Sequence, residues 1–364
     1  MSSPAPRPEP SRLTPLYAAV AGFTVLCGAS SAHAQVGPAP PVFPNATDNN
    51  AQLSVGASQF DLGSSFLQRL GREATYGYAA RDNSGGGGAS QSTADPLYRT
   101  WAETYGTRAR TAAQGTFVGD KRGTLGVVGG IGATVAPGLN VGFSVDQSNT
   151  WIDVPLALQT ATLDMTQLGV NASYTNGPWT VAAAAVHGFG RINSIRTTTI
   201  GGAAANYRGS IDGVLGELNY TYSLGQSRIV PKVALEYISA RTDSFAERGG
   251  FNPVNVAEGH GERARVLAGA EFGHYWIIGQ QAIDVSVYGK FVDNFVQNIG
   301  AVQVSLGNNA ISVAGVRESR NGADAGAAAS WILSNTARLY ANYDGRFRSG
   351  FESHQGTVGI ELKW

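Results

Sequence analysis

The stretch that decides the fold is HQGTVGIELKW, at residues 354–364. Apolar residues occupy every second position and alternate with polar or small ones: Val358, Ile360, Leu362 and Trp364 against Thr357, Gly359, Glu361 and Lys363. This period of two predicts a β-strand with one apolar face. The sequence stops on the aromatic that closes this strand. Such an ending is typical of a membrane β-barrel, whose last strand pairs with its first and places an aromatic at the lipid–water boundary.

The composition of the 364-residue chain fits a barrel better than a helical membrane protein. It has 26 basic and 26 acidic side chains, 14% charged residues and 48 glycines, well above the usual ~7%. Mean hydropathy is −0.10, as expected where lipid-facing and lumen-facing residues alternate and average out. A neutral balance argues against nucleic acid as a partner, because such partners call for a basic face.

Residues 1–34 have the features of a secretory signal peptide. Arg7 and Arg12 precede a short apolar core at 16–26, and Ala32-His33-Ala34 forms a small-x-small cleavage site. Cleavage between Ala34 and Gln35 is therefore predicted. The alternative, a membrane anchor, has too few apolar residues to span a bilayer, at about a dozen. The only cysteine, Cys27, lies in this segment, so the mature chain would contain none.

Residues 35–97 divide into a linker, a short helix and a flexible stretch. Residues 35–50 are rich in Pro and Asn and predict an extended linker. An apolar stripe formed by Phe60, Phe66, Leu67 and Leu70 predicts a helix at 58–73, with Asp61 as its N-cap and Gly71 near its end. Residues 82–94 are of low complexity and rich in Gly and Ser.

From Tyr98 onward the chain alternates in short segments divided by turn signals, and twelve strands are predicted, the first near residues 100–108. In one of them Val141, Phe143 and Val145 oppose Ser144 and Asp146. Tight junctions are predicted at 136–139, 175–178, 224–227, 277–281 and 333–336. Long polar junctions are predicted at 109–122, 147–161, 191–206, 241–261 and 294–318, with a shorter one at 346–353. Short turns on the periplasmic side and long loops outside are the pattern of outer-membrane barrels.

Aromatic residues near the predicted strand ends indicate a girdle at one membrane interface. They are Trp101, Tyr174, Trp179, Tyr220, Tyr222, Tyr275, Trp276, Trp331, Tyr343 and Trp364. The alternative is a soluble β-sandwich with large core residues, but a sandwich does not need its aromatics at one end of its strands.

Eleven charged residues fall on the polar faces of the predicted strands and are expected to face the lumen. They are Glu217, Lys232, Glu236, Arg265, Glu271, Asp284, Lys290, Arg338, Asp344, Arg346 and Glu361. A Lys or Arg facing lipid at the bilayer midplane would cost ~2–4 kcal/mol, whereas inward charges of both signs can pair across a wet lumen. Two interpretations stay open: a hydrated channel that holds or passes a peptide, and a plug of ion pairs that supports the wall.

The region 98–364 resembles the C-terminal translocator domain of autotransporters, the type V secretion systems of Gram-negative bacteria. The matching stretches are YRTWAETYGTRAR at 98–110, GGIGATVAPGLNVGFSVDQSNTWID at 129–153 and the closing TVGIELKW. The resemblance implies an all-β fold, a 12-stranded antiparallel transmembrane β-barrel with a helix threaded through its pore just before the first strand. It also implies insertion in outer-membrane lipid, with long loops at the cell surface, and export of an N-terminal passenger.

The terminal strand is similar to the signal that the barrel-assembly machinery reads, with Thr357, Gly359, Leu362 and Trp364 in the matching positions. Many family members end in Phe where this chain has Trp. The signal peptide adds the Sec translocon as a partner, and a monomer is expected. Residues 35–97 leave no room for a β-helical, lipase or protease passenger, so export of a large cargo is not expected.

No catalytic or cofactor-binding constellation is recognised. His187, His260, His274 and His354 lack metal-ligand spacing, and no G-x-S-x-G nucleophile elbow occurs. Some family members cut their own passenger near the helix–barrel junction, but Asp82-Asn83 lies in an ordinary Gly-rich loop. The primary hypothesis is a non-enzymatic autotransporter barrel that exports or displays its short N-terminal segment. A stand-alone solute pore, and an adhesin acting through loops such as 241–261, are the alternatives.

Overall fold

The computed structural model describes residues 43–82, 97–279, 281–334 and 336–364, and within the helix it describes side chains as far as Arg72. The predicted signal peptide, its cleavage site at Ala34 and Gln35, the first half of the predicted linker and most of the low-complexity stretch lie outside the described residues.

Within the described residues, twelve antiparallel strands form one closed barrel, which confirms the predicted fold class. Each strand pairs with its sequence neighbour, and the last pairs with the first. The strands β1–β12 are Tyr98–Thr111, Asp120–Ala136, Leu139–Val154, Gln159–Asn176, Trp179–Thr198, Gly201–Tyr220, Ser227–Thr242, Gly259–Ile278, Gln281–Ile299, Asn321–Ser334, Ala337–Arg348 and Phe351–Lys363. A short continuation of β6, Tyr222–Leu224, also pairs with β7.

Side chains alternate between the inside and the outside of this wall, as the period of two requires. Outward residues such as Val127, Ile131 and Val358 are 57–60% exposed, and they form an apolar surface for lipid. The outward aromatics Trp179, Trp276, Trp331 and Trp364 lie near the end of the barrel that carries the tight turns, called the turn end below. Tyr343 also faces outward, but it lies in the middle of β11.

Trp101 is not part of this girdle. It shares the inward row of β1 with Arg99 and Glu103, and only 4% of it is exposed. Gly130 on the neighbouring strand leaves the space for its indole, because a Cβ at Gly130 would lie 2.5 Å from the ring. Tyr275 likewise shares the inward row of Glu271 on β8. The girdle prediction is therefore wrong for these two residues and for the mid-strand Tyr343.

The five tight junctions lie where they are predicted, each leaving two residues between strands, whereas two predicted long loops are wrong. Instead of a loop at 147–161, β3 runs to Val154 and β4 starts at Gln159, joined by the 3₁₀ turn Pro155–Ala157. Instead of a loop at 191–206, β5 and β6 leave only residues 199–200 unpaired. Beyond the membrane both faces of a strand can be polar, so the hydrogen-bonded ladder continues without apolar alternation.

The opposite end, called the loop end below, is covered by a small second sheet. Its four strands are Phe245–Ala246, Asn255–Val256, Val302–Leu306 and Asn309–Val313, contributed by the two longest loops. Val256, Val304 and Val313 pack in its core together with Phe117 of the first loop and Leu53. We call these strands and their loops the cap.

A single helix in the described residues, α1 (Asn50–Asp82), lies inside the barrel. It is longer than the predicted helix at 58–73 and begins within the predicted linker. Asp61 is not an N-cap but lies in the fourth turn, where its carboxylate binds Arg122 on the wall. Gly71 is likewise inside the helix. No helix of the described residues combines the length and the hydropathy needed to cross a bilayer.

Candidate functional site: the helix-filled lumen

The start of α1 is fixed at the loop end. The Ala51 N–H donates to Gln159 Oε1 at 2.7 Å, and Gln159 Nε2 donates to the Thr47 carbonyl at 2.7 Å. Asn50 Oδ1 accepts from the Val118 N–H in the first loop at 2.9 Å. Further along, Gly71 lies beside Leu215 and Glu217, close to the turn end of β6. The helix therefore runs from the loop end toward the turn end.

One side of the helix packs against an apolar part of the wall. Phe66, Leu67 and Leu70 are fully buried and belong to one cluster with inward residues of β4 to β9, including Leu163, Ile192, Ile211, Leu215, Ile238 and Val292. Glycines let the helix come close. A Cβ on Gly169 would lie 2.5 Å from Leu70 Cδ1, and one on Gly213 would lie 2.9 Å from Leu67 Cδ1.

The other side of the helix is held by charge, first through Arg69. Its Nε lies 2.6 Å from Glu103 Oε2 on β1, and its Nη1 lies 3.3 Å from Asp146 Oδ2 on β3. The guanidinium stacks over the Tyr105 ring at 4.2 Å, and the Tyr105 hydroxyl donates to Asp146 at 3.0 Å. Arg69 and both carboxylates are buried, so the positive charge is balanced within the lumen.

Two more charges of the helix bind neighbouring parts of the wall. Asp61 accepts a hydrogen bond from Arg122 Nη1 on β2 at 2.8 Å, and Arg346 Nη1 on β11 lies 3.9 Å from Asp61 Oδ1. Arg72 Nη1 donates to both oxygens of Asp344 at 2.8 and 2.9 Å. Charged contacts thus reach the helix from β1, β2, β3 and β11.

A third cluster joins the helix to β7 and β8 through Glu236. Arg265 Nε lies 2.7 Å from Glu236 Oε1, and Ser64 Oγ on the helix donates to Glu236 Oε2 at 3.0 Å. Arg263 lies 3.7 Å from the same carboxylate and also pairs with Glu318 of the loop that follows the cap. Ser64 and Arg265 are in direct contact as well.

The structure places all eleven predicted lumen charges on the inward rows of their strands. Arg265, Asp344 and Arg346 belong to the helix clusters described above, together with Glu236. Others pair along the wall: Lys232 with Glu271 at 2.9 Å, and Arg338 with Glu361 at 3.1 Å. The remaining contacts are Asp284 with Arg228 at 2.8 Å, Glu217 with the Asn219 amide at 2.7 Å, and Lys290 over the Tyr288 ring at 5.3 Å.

Sequence reasoning missed several of the residues that hold the helix by charge. Glu103 and Asp146 lie on polar faces of predicted strands, so their inward direction could have been inferred. Arg69 and Arg72 gave no such signal, because the rotation of a helix inside a lumen depends on the wall around it.

On the last strand, the four predicted assembly residues divide between the two faces. Thr357 and Gly359 face inward, and Leu362 and Trp364 face outward. Gly359 lies against the Tyr340 ring, where a Cβ would be 2.4 Å from the ring carbon Cζ.

Between the described residues of the helix and the wall, a cavity of about 210 Å³ lies toward the loop end and a smaller one lies in the middle of the barrel. The smaller cavity has a volume of about 30 Å³ and is lined by Ser65, Arg72 and Tyr105 among others. Such a volume holds a water molecule or two, not a second peptide. No cluster of His, Cys, Asp and Glu in the described residues has a geometry that could hold a metal ion.

Comparison with known proteins agrees with this architecture. The family model described as autotransporter beta-domain matches residues 100–344. The fold is similar to the translocator domain of the autotransporter NalP from Neisseria meningitidis, with a TM-score of 0.67 and 13% identity over 86% of this chain and 99% of that one. It is also similar to the beta domain of the Bordetella autotransporter BrkA, with a TM-score of 0.57 and 16% identity over 74% and 100% of the two chains. No curated protein is significantly similar in sequence.

At these identities the solved structures show a shared fold, and the family model carries the assignment. The match covers most of the barrel, from β1 to β11. The predicted resemblance is confirmed: the chain belongs to the autotransporter β-domain family and is a translocator barrel of the Gram-negative outer membrane.

Proposed function

We propose that this barrel exports its own N-terminal segment, residues 35–49, through the lumen and then retains α1 as a plug. The direction of α1 is the observation that carries the proposal. Because the helix starts at the loop end, the described residues that precede it, 43–49, lie on the side of the long loops, which face the cell exterior in outer-membrane barrels.

The remaining steps follow the family pattern. Residues 1–34 direct the chain through the Sec translocon and are removed between Ala34 and Gln35. The barrel-assembly machinery then reads the terminal strand with Thr357, Gly359, Leu362 and Trp364. One chain closes its own barrel and fills its own lumen, which supports a monomer. The barrel acts without cofactor and without catalysis of its own.

The filled lumen favours this function over the two alternatives. A stand-alone solute pore needs an open path, whereas the helix packs against the wall on both its apolar and its charged side. For the adhesin, part of the loop at 241–261 is used inside the molecule: Glu247 binds Arg196 and the Val254 N–H within the cap region.

Labelling of single cysteines on intact cells tests the proposal. In a Cys27→Ser background, Phe43→Cys lies just before the helix on an exposed residue, and Gln226→Cys lies in a tight turn. A membrane-impermeant maleimide should label Phe43→Cys in intact cells and Gln226→Cys only after the outer membrane is permeabilised.

A loop cysteine, Leu158→Cys, serves as the positive control, because Leu158 is 64% exposed at the loop end. If Leu158→Cys reacts and Phe43→Cys stays silent until permeabilisation, the N-terminal segment does not reach the surface and the proposal fails.

A further inference from the structure

Six basic residues face outward from the barrel in a band toward the loop end: Arg108, Arg110, Lys121, Arg191, Arg208 and Arg241. On β1 and β2 the outward rows between this band and the turn end carry no charged residue. Arg108 lies about ten residues along β1 from Tyr98. At ~3.3 Å per residue and a tilt near 40°, that is about 25 Å, the height of the apolar belt of such barrels. The band therefore begins at the outer lipid–water boundary.

These six cations differ from the arginines of the lumen. Arg69, Arg122, Arg265 and Arg348 each have a carboxylate partner. Among the residues that the structure describes, none of the six outward side chains forms an ion pair. Unpaired cations at a lipid boundary are available to anionic groups of the lipid.

Half of the band is concentrated in a groove of about 700 Å³ on the outer wall, which extends from β12 across β1 and β2 to β5. Arg110 lies directly opposite Lys121 in the sheet register, and Arg108 is two residues away on the same face. Trp151 and Ile195, about half exposed, add apolar surface to the groove.

Two carboxylates and one histidine also line the groove. Asp153 lies opposite Lys121, and Glu352 lies opposite Arg110 in the register. Neither pair is close enough to form an ion pair, and His354 Nδ1 is hydrogen-bonded to the Tyr343 hydroxyl at 2.7 Å. Three cations against two carboxylates leave the groove with a net positive charge.

We propose that this groove binds the phosphate groups of a phosphorylated, acylated glycolipid of the outer leaflet. Arg108, Arg110 and Lys121 would hold phosphate at the boundary, because guanidinium and ammonium groups form strong charge-assisted hydrogen bonds with phosphate oxygens. The acyl chains would lie against the apolar outward rows directly below, which include Leu125 and Val127. A soluble acidic protein could also bind the three cations, but it would leave the apolar rows directly below them without a binding partner.

Native mass spectrometry of the full chain in detergent tests the proposal. The probes are a bisphosphorylated acylated glucosamine disaccharide and the same lipid without phosphates. We expect binding of the phosphorylated lipid to weaken at least about tenfold in Arg108→Gln/Arg110→Gln/Lys121→Gln, and similarly when the lipid lacks phosphates. The charge-retaining variant Arg108→Lys/Arg110→Lys/Lys121→Arg should keep most of the binding.

Arg191→Gln/Arg208→Gln/Arg241→Gln is the matched control. It removes the same charge from the same face and band but outside the groove, so binding should stay near that of the parent. An equal loss of lipid binding in both triple-Gln variants would mean that the lipid is attracted by the total positive charge, and would overturn the groove as its binding site. Equal binding of the phosphate-free lipid would overturn phosphate recognition. Displacement of the lipid by millimolar inorganic phosphate would overturn the lipid as ligand in favour of a free-anion site.

Discussion

Arg69 lies with its whole side chain buried between Glu103 and Asp146. A buried ion pair gains little over an apolar contact, because both partners have lost their hydration, but removing one partner leaves the other uncompensated. The main effect of losing Arg69 would therefore be to leave the two buried carboxylates of Glu103 and Asp146 without a cation. The helix is thereby fixed at one rotation and one depth in the lumen.

We expect Arg69→Met to destabilise the docked helix by about 3–5 kcal/mol, the usual cost of breaking a buried pair from one side. In planar bilayers the ratio of closed to conducting time should fall by about two to four orders of magnitude, at about 1.4 kcal/mol per factor of ten. Arg69→Met/Glu103→Gln/Asp146→Asn removes all three charges at nearly constant volume and should return most of the closed time. If this triple variant conducts as much as Arg69→Met, charge is not what retains the helix.

The helix α1 shows where prediction at the scale of an element succeeds and where it stops. Its apolar stripe at Phe60, Phe66, Leu67 and Leu70 can be predicted from the sequence, because those residues pack against the apolar part of the wall. Its full length could not be predicted from the sequence. Gly56, Gly63 and Gly71 lower the helix propensity, and the polar residues of the helix contact a polar part of the wall. Tertiary packing outweighs propensity here.

The strands show the same division. Where one face meets lipid and the other meets the lumen, alternation sets both the strand and its register, as in β3 and β12. Beyond the membrane that contrast disappears. The stretches 147–161 and 191–206 therefore have loop-like composition although most of their residues are paired in extended strands.

Gly169 on β4 tests how closely the helix approaches the wall. We expect Gly169→Val to push Phe66 and Leu70 away, since even a Cβ would meet both. Overpacking of this kind costs about 1–3 kcal/mol, so the conducting fraction in planar bilayers should rise about fivefold or more. Gly216→Val adds the same side chain on the outward face of β6, where a Cβ meets nothing within 4 Å, and should conduct like the parent. Equal conductance of the two variants would contradict the close packing.

At the scale of the whole molecule, the pairing of the last strand with the first, called the seam below, closes the sheet into a barrel. Strands β12 and β1 pair along their full length, and at the turn end the Tyr98 and Trp364 backbones exchange two hydrogen bonds of 3.0 Å. Closure leaves no exposed strand edge in the lipid, where an unpaired backbone group would cost several kcal/mol. The same seam brings the beginning of β1 to the end of the barrel toward which α1 runs.

The side chain of Trp364 contributes little to this closure, since it is 62% exposed at the interface. A charge placed near the interface costs only ~0–1 kcal/mol, so Trp364→Asp should hardly change the stability of the finished barrel. If the terminal strand is an assembly signal, the same variant should nevertheless strongly reduce the heat-modifiable barrel recovered from outer membranes. Trp364→Phe should keep the amount of recovered barrel near that of the parent.

Trp276→Asp is the control: it changes a girdle aromatic on β8 and should have little effect on the amount of recovered barrel. Similar losses in Trp364→Asp and Trp276→Asp would attribute the effect to the girdle rather than to the signal, and parental levels in Trp364→Asp would rule out the signal altogether.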